Sequence, residues 1–502
     1  MMKRPTTIKP TIRPIVTKPI VTRAISVSLI NPLTAVIASC TLLLMPVSVG
    51  LGQTVPAATQ ASLPASASAF DLLKQTYGAY VDETDPLGWP MKVRSVTADE
   101  FKFWRGTKDL FFNWCKTHCD DWMHDPSAFV PSHGDLHPGN IGTYQSGNVS
   151  TLAFGPIDFD DSAMLPFQFE VLAGQITFEL IAQVQKIDLS NEQREQLAAR
   201  IVGTYFDALK DDRTAQEILG KDKEISKMLG EFEMNKYEKE LEGLTQDGRF
   251  RAVVLTKKGE VREVLTPIDE RKSDIAGALA QAMVDAPELG ALVKYKTADE
   301  FAKAIKSIAL RTRIGSSGSQ GLEKIFVLIE KPIAAFDFDV IFYLKQQLPP
   351  AAVRAGLIER AIVGSDASPG KKTFLLMKEM NQPVPLFSGF ADIEGKSYFL
   401  SIKEPWTDAL EFDSAKDFDS LLQDAKRWAV VAARSNGRSN GQLTSTSDRL
   451  EKFNTPEFER QVLDRAKAYL AHANADFRAF LADPRTAAAI AKTETFLNGL
   501  KK

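Results

Sequence analysis

Apolar residues recur at helical spacing near both ends of the chain and run as short, nearly continuous stretches in its middle. From about Ala69 to Lys116 the spacing of Phe101, Trp104, Leu110, Phe111 and Trp114 predicts helix. A short strand, Ala128 to Pro131, leads into the most polar-dense segment. Phe167 to Val184 and Glu192 to Leu209 follow as apolar-striped helices, the second placing Leu197, Ile201, Tyr205 and Leu209 on one face. Lys210 to Leu244 is charged and reads as solvent-facing. Arg249 to Leu255 and Val261 to Leu265, joined by Lys257-Lys258-Gly259, predict a hairpin with a glycine turn. A helix over Ala298 to Ala309 precedes strand-rich sequence up to Glu404. Helical patterning returns at Ser414 to Arg434 and Pro456 to Leu481, and no solenoid-length repeat is visible.

A length of 502 residues leaves room for two or three cores, and 44% hydrophobic with 25% charged residues is an ordinary globular balance. Wholly disordered, collagenous and coiled-coil chains are thereby excluded. The net charge is −3, but Lys3, Arg4, Lys9, Arg13, Lys18 and Arg23 all precede the first acid, Asp71. The remainder carries 55 basic against 64 acidic residues, a balance that argues against nucleic acid as a partner. The basic arm, the mostly apolar run from Ala24 to Gly52 and the Ala/Ser/Pro/Gln stretch to Ala69 read as a secretory signal. The expected location is therefore exported: periplasmic, or membrane-anchored through this segment if it is uncleaved or lipidated at Cys40. A cytoplasmic chain is the alternative. Cys40, Cys115 and Cys119 are too few for a disulfide scaffold or a four-thiolate zinc site, and free or structural thiols are expected at Cys115 and Cys119.

Two constellations carry chemistry. The first is His133-Gly134-Asp135-Leu136-His137-Pro138-Gly139-Asn140, followed by Pro156-Ile157-Asp158-Phe159-Asp160-Asp161. Ile141 to Thr143 and Leu152 to Phe154, joined by a tight polar turn, predict a hairpin that returns Asn140 beside Asp158. An amide oxygen and a carboxylate converging there suit Mg²⁺, with substrate phosphates and water completing the shell. Asp135 is placed to accept a proton from an attacking hydroxyl. His133 and His137 read as loop-shaping residues. A two-metal phosphoesterase built on Asp135-Leu136-His137 would need more histidines than His118, His124 and His472 supply.

The second constellation is Arg313-Ile314-Gly315-Ser316-Ser317-Gly318-Ser319-Gln320-Gly321, which enters a strand, Ile325 to Ile329, rather than a helix. Strand, glycine loop, strand is an arrangement that lays backbone N–H groups over nucleotide phosphates, so Gly315, Ser316, Ser317, Gly318 and Gly321 are the expected phosphate cover. A third strand, Asp339 to Leu344, ends in Lys345, whose ammonium would pair with the phosphates.

The loop His133 to Asn140 resembles the catalytic loop of the aminoglycoside and choline phosphotransferase branch of the protein-kinase-like superfamily, and Ile157-Asp158-Phe159 resembles its metal-binding strand end. Phe101-Lys102-Phe103-Trp104-Arg105-Gly106, that loop, Asp158 to Asp161 and the glycine loop, in this order over about residues 95 to 485, resemble a bacterial family, domain of unknown function 2252, related to those kinases. The resemblance implies Asp135 as catalytic base, Asn140 and Asp158 as metal ligands, Lys345 as the phosphate-binding lysine and Lys396 to Glu404 as the last strand before the adenine-holding hinge. It implies an α+β, two-lobed kinase-like fold that is circularly permuted, since Lys345 follows Asp135 instead of preceding it. Residues 70–245 and 405–502 would form the helical lobe, 246–404 the β-rich lobe and 1–69 the signal and linker. The family usually reads Lys-Glu-Ala and later Val-Glu-Gly around its lysine and helix. Here Lys345-Gln346-Gln347 and Val363-Gly364 stand, leaving Glu359 as a substitute anchor for the lysine. The expected activity is Mg²⁺-dependent transfer of a phosphoryl or nucleotidyl group from ATP to a small-molecule or protein hydroxyl. The alternative is an exported pseudokinase-type binding module without catalysis.

Overall fold

Phe167–Val184 is apolar on nearly every face, so it can fold only with other elements on all sides, and it is buried along almost its whole length. The computed structural model describes residues 68–500 apart from 231–233, 316–317, 363–364, 405–407, 411–414 and 439–442. Asn191–Lys210 begins at a reciprocal cap between Ser190 and Gln193 and packs its apolar face on Phe418–Gly437. Phe418–Gly437 and Pro456–Ala482 enclose Phe167–Val184 with it. At Gly174 the helices approach so closely that a Cβ would lie 2.3 Å from the Trp428 indole. Trp104, Phe111, Phe112, Phe178, Trp428 and Tyr469 fill this helical core.

The strands in chain order are β1 (Phe129–Ser132), β2 (Ile141–Gln145), β3 (Leu152–Pro156), β4 (Ala163–Pro166), β5 (Thr245–Gln246), β6 (Arg249–Phe250), β7 (Val253–Leu255), β8 (Val261–Pro267), β9 (Ile305–Arg313), β10 (Lys324–Ile329), β11 (Val340–Gln347), β12 (Ser388–Ile393) and β13 (Lys396–Ile402). Seven of them form one antiparallel sheet in the order β12-β13-β11-β10-β9-β8-β7. The period of two sorts β10 cleanly. Ile325, Val327 and Ile329 enter the core made with Lys272–Asp285 and Pro369–Met380, and Phe326 and Leu328 enter a smaller one with Leu244 and Leu265. Helices and sheet together make this an α+β protein.

Local departures from the sequence reading have physical reasons. The helix expected over Ala298 to Ala309 ends at Ala304, and β9 begins at Ile305 because pairing with β10 and β8 outweighs local propensity. Pro369–Met380 is a helix inside the stretch read as strand-rich, and Lys272–Asp285 and Pro484–Gly499 are further helices that were not anticipated. The segment read as solvent-facing buries Ile225, Met228, Tyr237 and Leu244. The glycine hairpin exists, but its first strand is only Val253–Leu255, since Arg249–Phe250 pairs with Thr245–Gln246. Cys115 and Cys119 are buried free thiols. Among the described residues no helix is long and apolar enough to cross a membrane, and the signal-like segment lies outside them.

Candidate functional site

β1, paired with β4, delivers the chain to the loop at His133. Gly134 has φ +77° there, and a Cβ on it would lie 2.2 Å from the Asp161 carbonyl oxygen. Around that close approach the loop is pinned from several sides. The His133 N–H donates to Glu170 (2.7 Å), His133 Nε2 meets the Ile157 carbonyl (2.9 Å) and Trp428 Nε1 donates to the Leu136 carbonyl (2.7 Å). The two loop histidines are buried, and burial holds both below the ordinary imidazole range, His137 far below it. β2 and β3 form the expected hairpin, Ile141 opposite Pro156, and the Ile157 N–H closes onto the Asn140 carbonyl (2.8 Å). Asn140 and Asp158 thus line one cleft. Asn140 Nδ2 donates to the Asp135 backbone carbonyl (3.0 Å), which leaves its amide oxygen as the available ligand atom.

Lys345 reaches the same place from β11, which continues past it to Gln347 instead of ending there. It pairs with Asp158 and, at 2.6 Å, with Asp160, both 185 or more residues away in sequence. Gln347 Nε2 supports Asp160 (2.8 Å), as does Lys372, which donates to its carbonyl (2.9 Å). Burial opposes ionisation of Asp158, but the Lys345 charge prevails and brings it down to about 2. Burial and the neighbouring Asp158 charge push Asp160 up. Glu359, the substitute anchor, is exposed; the carboxylates that hold Lys345 are Asp158 and Asp160.

The glycine loop joins the antiparallel pair β9 and β10. Gly318 and Ser319 line the cleft. Gly315 (φ +90°) and Gly321 (φ +88°) instead make the bends, Gly321 packing against the Gly88 carbonyl, and neither lines the cleft. Ser316 and Ser317 lie outside the described residues, as do Val363 and Gly364. Lys92 Nζ donates to the Gly318 carbonyl (2.5 Å) and sits 4.0 Å from the Tyr77 ring centre, while the Tyr77 hydroxyl donates to the Gln320 carbonyl (2.9 Å). The hairpin tip is therefore tied down to the N-terminal helices.

At the other end of the cleft, Asp135 meets Lys108 Nζ at 3.0 Å. That lysine is buried, over the Trp104 ring at 3.4 Å from its centre. Burial pushes Asp135 up to about 6 despite Lys108 and Arg105. Arg354 forks onto Asp109 (2.7 and 2.9 Å) and lies 3.6 Å from Asp161, whose carboxylate also caps the Ala351 N–H at 2.8 Å. Lys92, Lys108, Arg354 and Lys372 were not singled out from sequence. A lysine beside Leu110, Phe111 and Phe112 is the one signal that pointed to Lys108, since a solvated lysine gains nothing in an aromatic stripe.

The cleft is narrow as it stands, with a cavity volume of about 50 Å³. A model of the family described as uncharacterized protein conserved in bacteria (DUF2252) matches residues 85–483. The chain belongs to that family. No curated protein and no solved structure matches it. In this DUF2252 chain, no three His, Cys, Asp or Glu side chains among the described residues come together as a metal cage. Mg²⁺ does not require one, because it keeps water and phosphate oxygens and takes one or two carboxylates from protein. The donor set of Asp158, Asp160 and the Asn140 amide fits that requirement.

Proposed function

We propose that this protein is a Mg²⁺-dependent phosphotransferase with a circularly permuted, kinase-like arrangement, acting from ATP on a hydroxyl of a small molecule or protein side chain. The observation that carries this reading is the pairing of Lys345 with Asp158 and Asp160, two carboxylates that line one cleft with Asn140, Asp135, Gly318 and Ser319. In it, Asp158 and Asn140 hold the metal, which neutralises charge on the transferring group. Lys345 exchanges its carboxylate partners for nucleotide phosphate, and Asp135 orients the acceptor hydroxyl and takes its proton. Residues 246–404 would form the nucleotide-binding lobe, with 70–245 and 405–502 as the helical lobe. We place the protein outside the cytoplasm, on the basic and apolar N-terminal segment; fractionation with a tag after Lys502 tests this.

The test of function is calorimetric titration of the full-length chain with ATP and Mg²⁺, alongside Asp158→Ala. Mg²⁺-dependent binding that disappears in the variant supports the reading. Absence of binding in the unaltered protein overturns it in favour of a binding module without catalysis. The Lys108–Asp135 ion pair favours that second reading, because it neutralises the proposed base.

A further inference from the structure

The Arg105 side chain is the least explained charge in the cleft. Its Nε is fully buried with no hydrogen-bond partner, and among the described residues no carboxylate lies within ion-pair distance of it. What it does touch is the face of Phe101, 5.7 Å from the ring centre, and a Cβ at Gly139 would stand 4.0 Å from its Nη1. The guanidinium therefore lies against the loop between His137 and Asn140 and lines the cleft beside Asp135. Arg105 is half-buried, and its Nε has lost water without gaining a partner, a loss that an anion on its fork would offset. Lys108 stands next to it, and Lys108 is also the first residue of the helix Lys108–His118, which has no side-chain cap. The positive end of that helix opens onto the cleft wall formed by Gly106, Lys108 and Asp109. Asp135 is the carboxylate that acts most strongly on both cations, with Asp161 also acting on Lys108 and Asp158 on Arg105.

We infer that Arg105 and Lys108 form an anion subsite beside Asp135 that takes a phosphate group. The guanidinium fork and the ammonium suit phosphate oxygens, with Arg105 giving orientation and Lys108 charge. The inference rests on the proposed function only in taking Asp135 as the group facing the acceptor. Two sources share this chemistry: a phosphate already carried by the acceptor, and the terminal phosphate of the nucleotide.

The test is calorimetric titration of the full-length chain with inorganic phosphate, alone, with ADP and Mg²⁺, and with ATP and Mg²⁺. Phosphate should bind the unaltered protein and bind about tenfold more weakly to Arg105→Gln, the loss expected for one charged hydrogen-bonding partner. Arg105→Lys, which keeps charge and bulk but loses the fork, should fall between the two and serves if Arg105→Gln does not fold. Lys378→Gln, at an ion pair with Glu288 outside the cleft lining, should leave phosphate affinity within about twofold. Phosphate binding that persists beside ATP assigns the subsite to a phosphorylated acceptor. Binding that persists beside ADP but is displaced by ATP assigns it to the terminal phosphate. No phosphate binding, or equal binding by the Arg105 variants, overturns the subsite. Arg105-dependent phosphate binding without any ATP binding would leave the subsite standing and remove the phosphotransferase reading.

Discussion

The two ends of the cleft carry opposite charge balances. Where Lys345 stands, one ammonium faces two carboxylates, Asp158 and Asp160. Where Asp135 stands, one carboxylate faces Lys108, with the unpaired Arg105 close by. The first cluster holds one carboxylate more than its ammonium; the second sets Lys108 and Arg105 chiefly against Asp135, with Asp161 also acting on Lys108. Unequal charge of this kind would steer a charged ligand before specific contacts form. The lesson is that ion pairs within a site matter less for what they neutralise than for what they leave over.

The largest effect is expected from Asp135→Asn, which removes the proposed proton acceptor and the carboxylate paired with Lys108. Turnover should fall by about 10²- to 10⁴-fold while ATP binding, measured calorimetrically, is retained. Unchanged turnover would remove Asp135 from its role and with it the functional meaning of that end. Lys345→Met should weaken ATP binding by about 10- to 100-fold, the cost of a lost charged contact to phosphate. It also leaves Asp158 and Asp160 facing each other. The melting temperature of this variant should therefore rise more on adding Mg²⁺ than that of the unaltered protein, and an equal response would show that the two carboxylates do not share a cation.

The sequence revealed the two ends unequally. The Asn140 and Asp158 pair follows from local chemistry: they flank a hairpin whose polar turn is readable, so their approach needed no knowledge of the rest of the fold. Lys345 was identifiable by its place after a strand, glycine loop and strand. Its partners were not, because Asp160 lies 185 residues away and the expected glutamate anchor was sought near the lysine. The Asp135 end depends on Lys108 being buried, and a helical lysine reads as solvated until tertiary contacts say otherwise. The same limit applied to the fold. Pro369–Met380 was lost within strand-rich sequence because its apolar residues serve a sheet face, and β9 was read into the helix before it because only cross-strand partners distinguish the two.

Smaller effects sharpen the contrast. Turnover should rise with pH through about 6, as the Asp135 carboxylate forms. Its contribution to stability has the opposite sign. The folded chain binds this proton more tightly than the ordinary value of 3.8 allows, so low pH favours folding through this group and that advantage is lost as pH climbs toward 6. A pH–rate profile flat from 5 to 7 would place the titrating base elsewhere. The smallest change is expected from Tyr77→Phe, which deletes the hydroxyl bond to the Gln320 carbonyl and should cost about 1 kcal/mol. Hydrogen exchange should quicken around Gln320 and stay unchanged at Asp135; equal quickening at both would show that the hairpin tip and the loop are not independent.

The contact at Gly134 bears on how such a cleft moves. With no room for even a methyl group between the Gly134 backbone and Asp161, the loop that bears Asp135 and the turn that bears Asp158 are pressed together as one rigid jaw. Across the cleft, residues 318–321, between β9 and β10, are held by the Lys92 and Tyr77 bonds to carbonyls and by Gly321 packing on Gly88. Under the proposed function, a substitution at Gly134 would then disturb Asp135 and Asp158 together, whatever happens at the tip between β9 and β10.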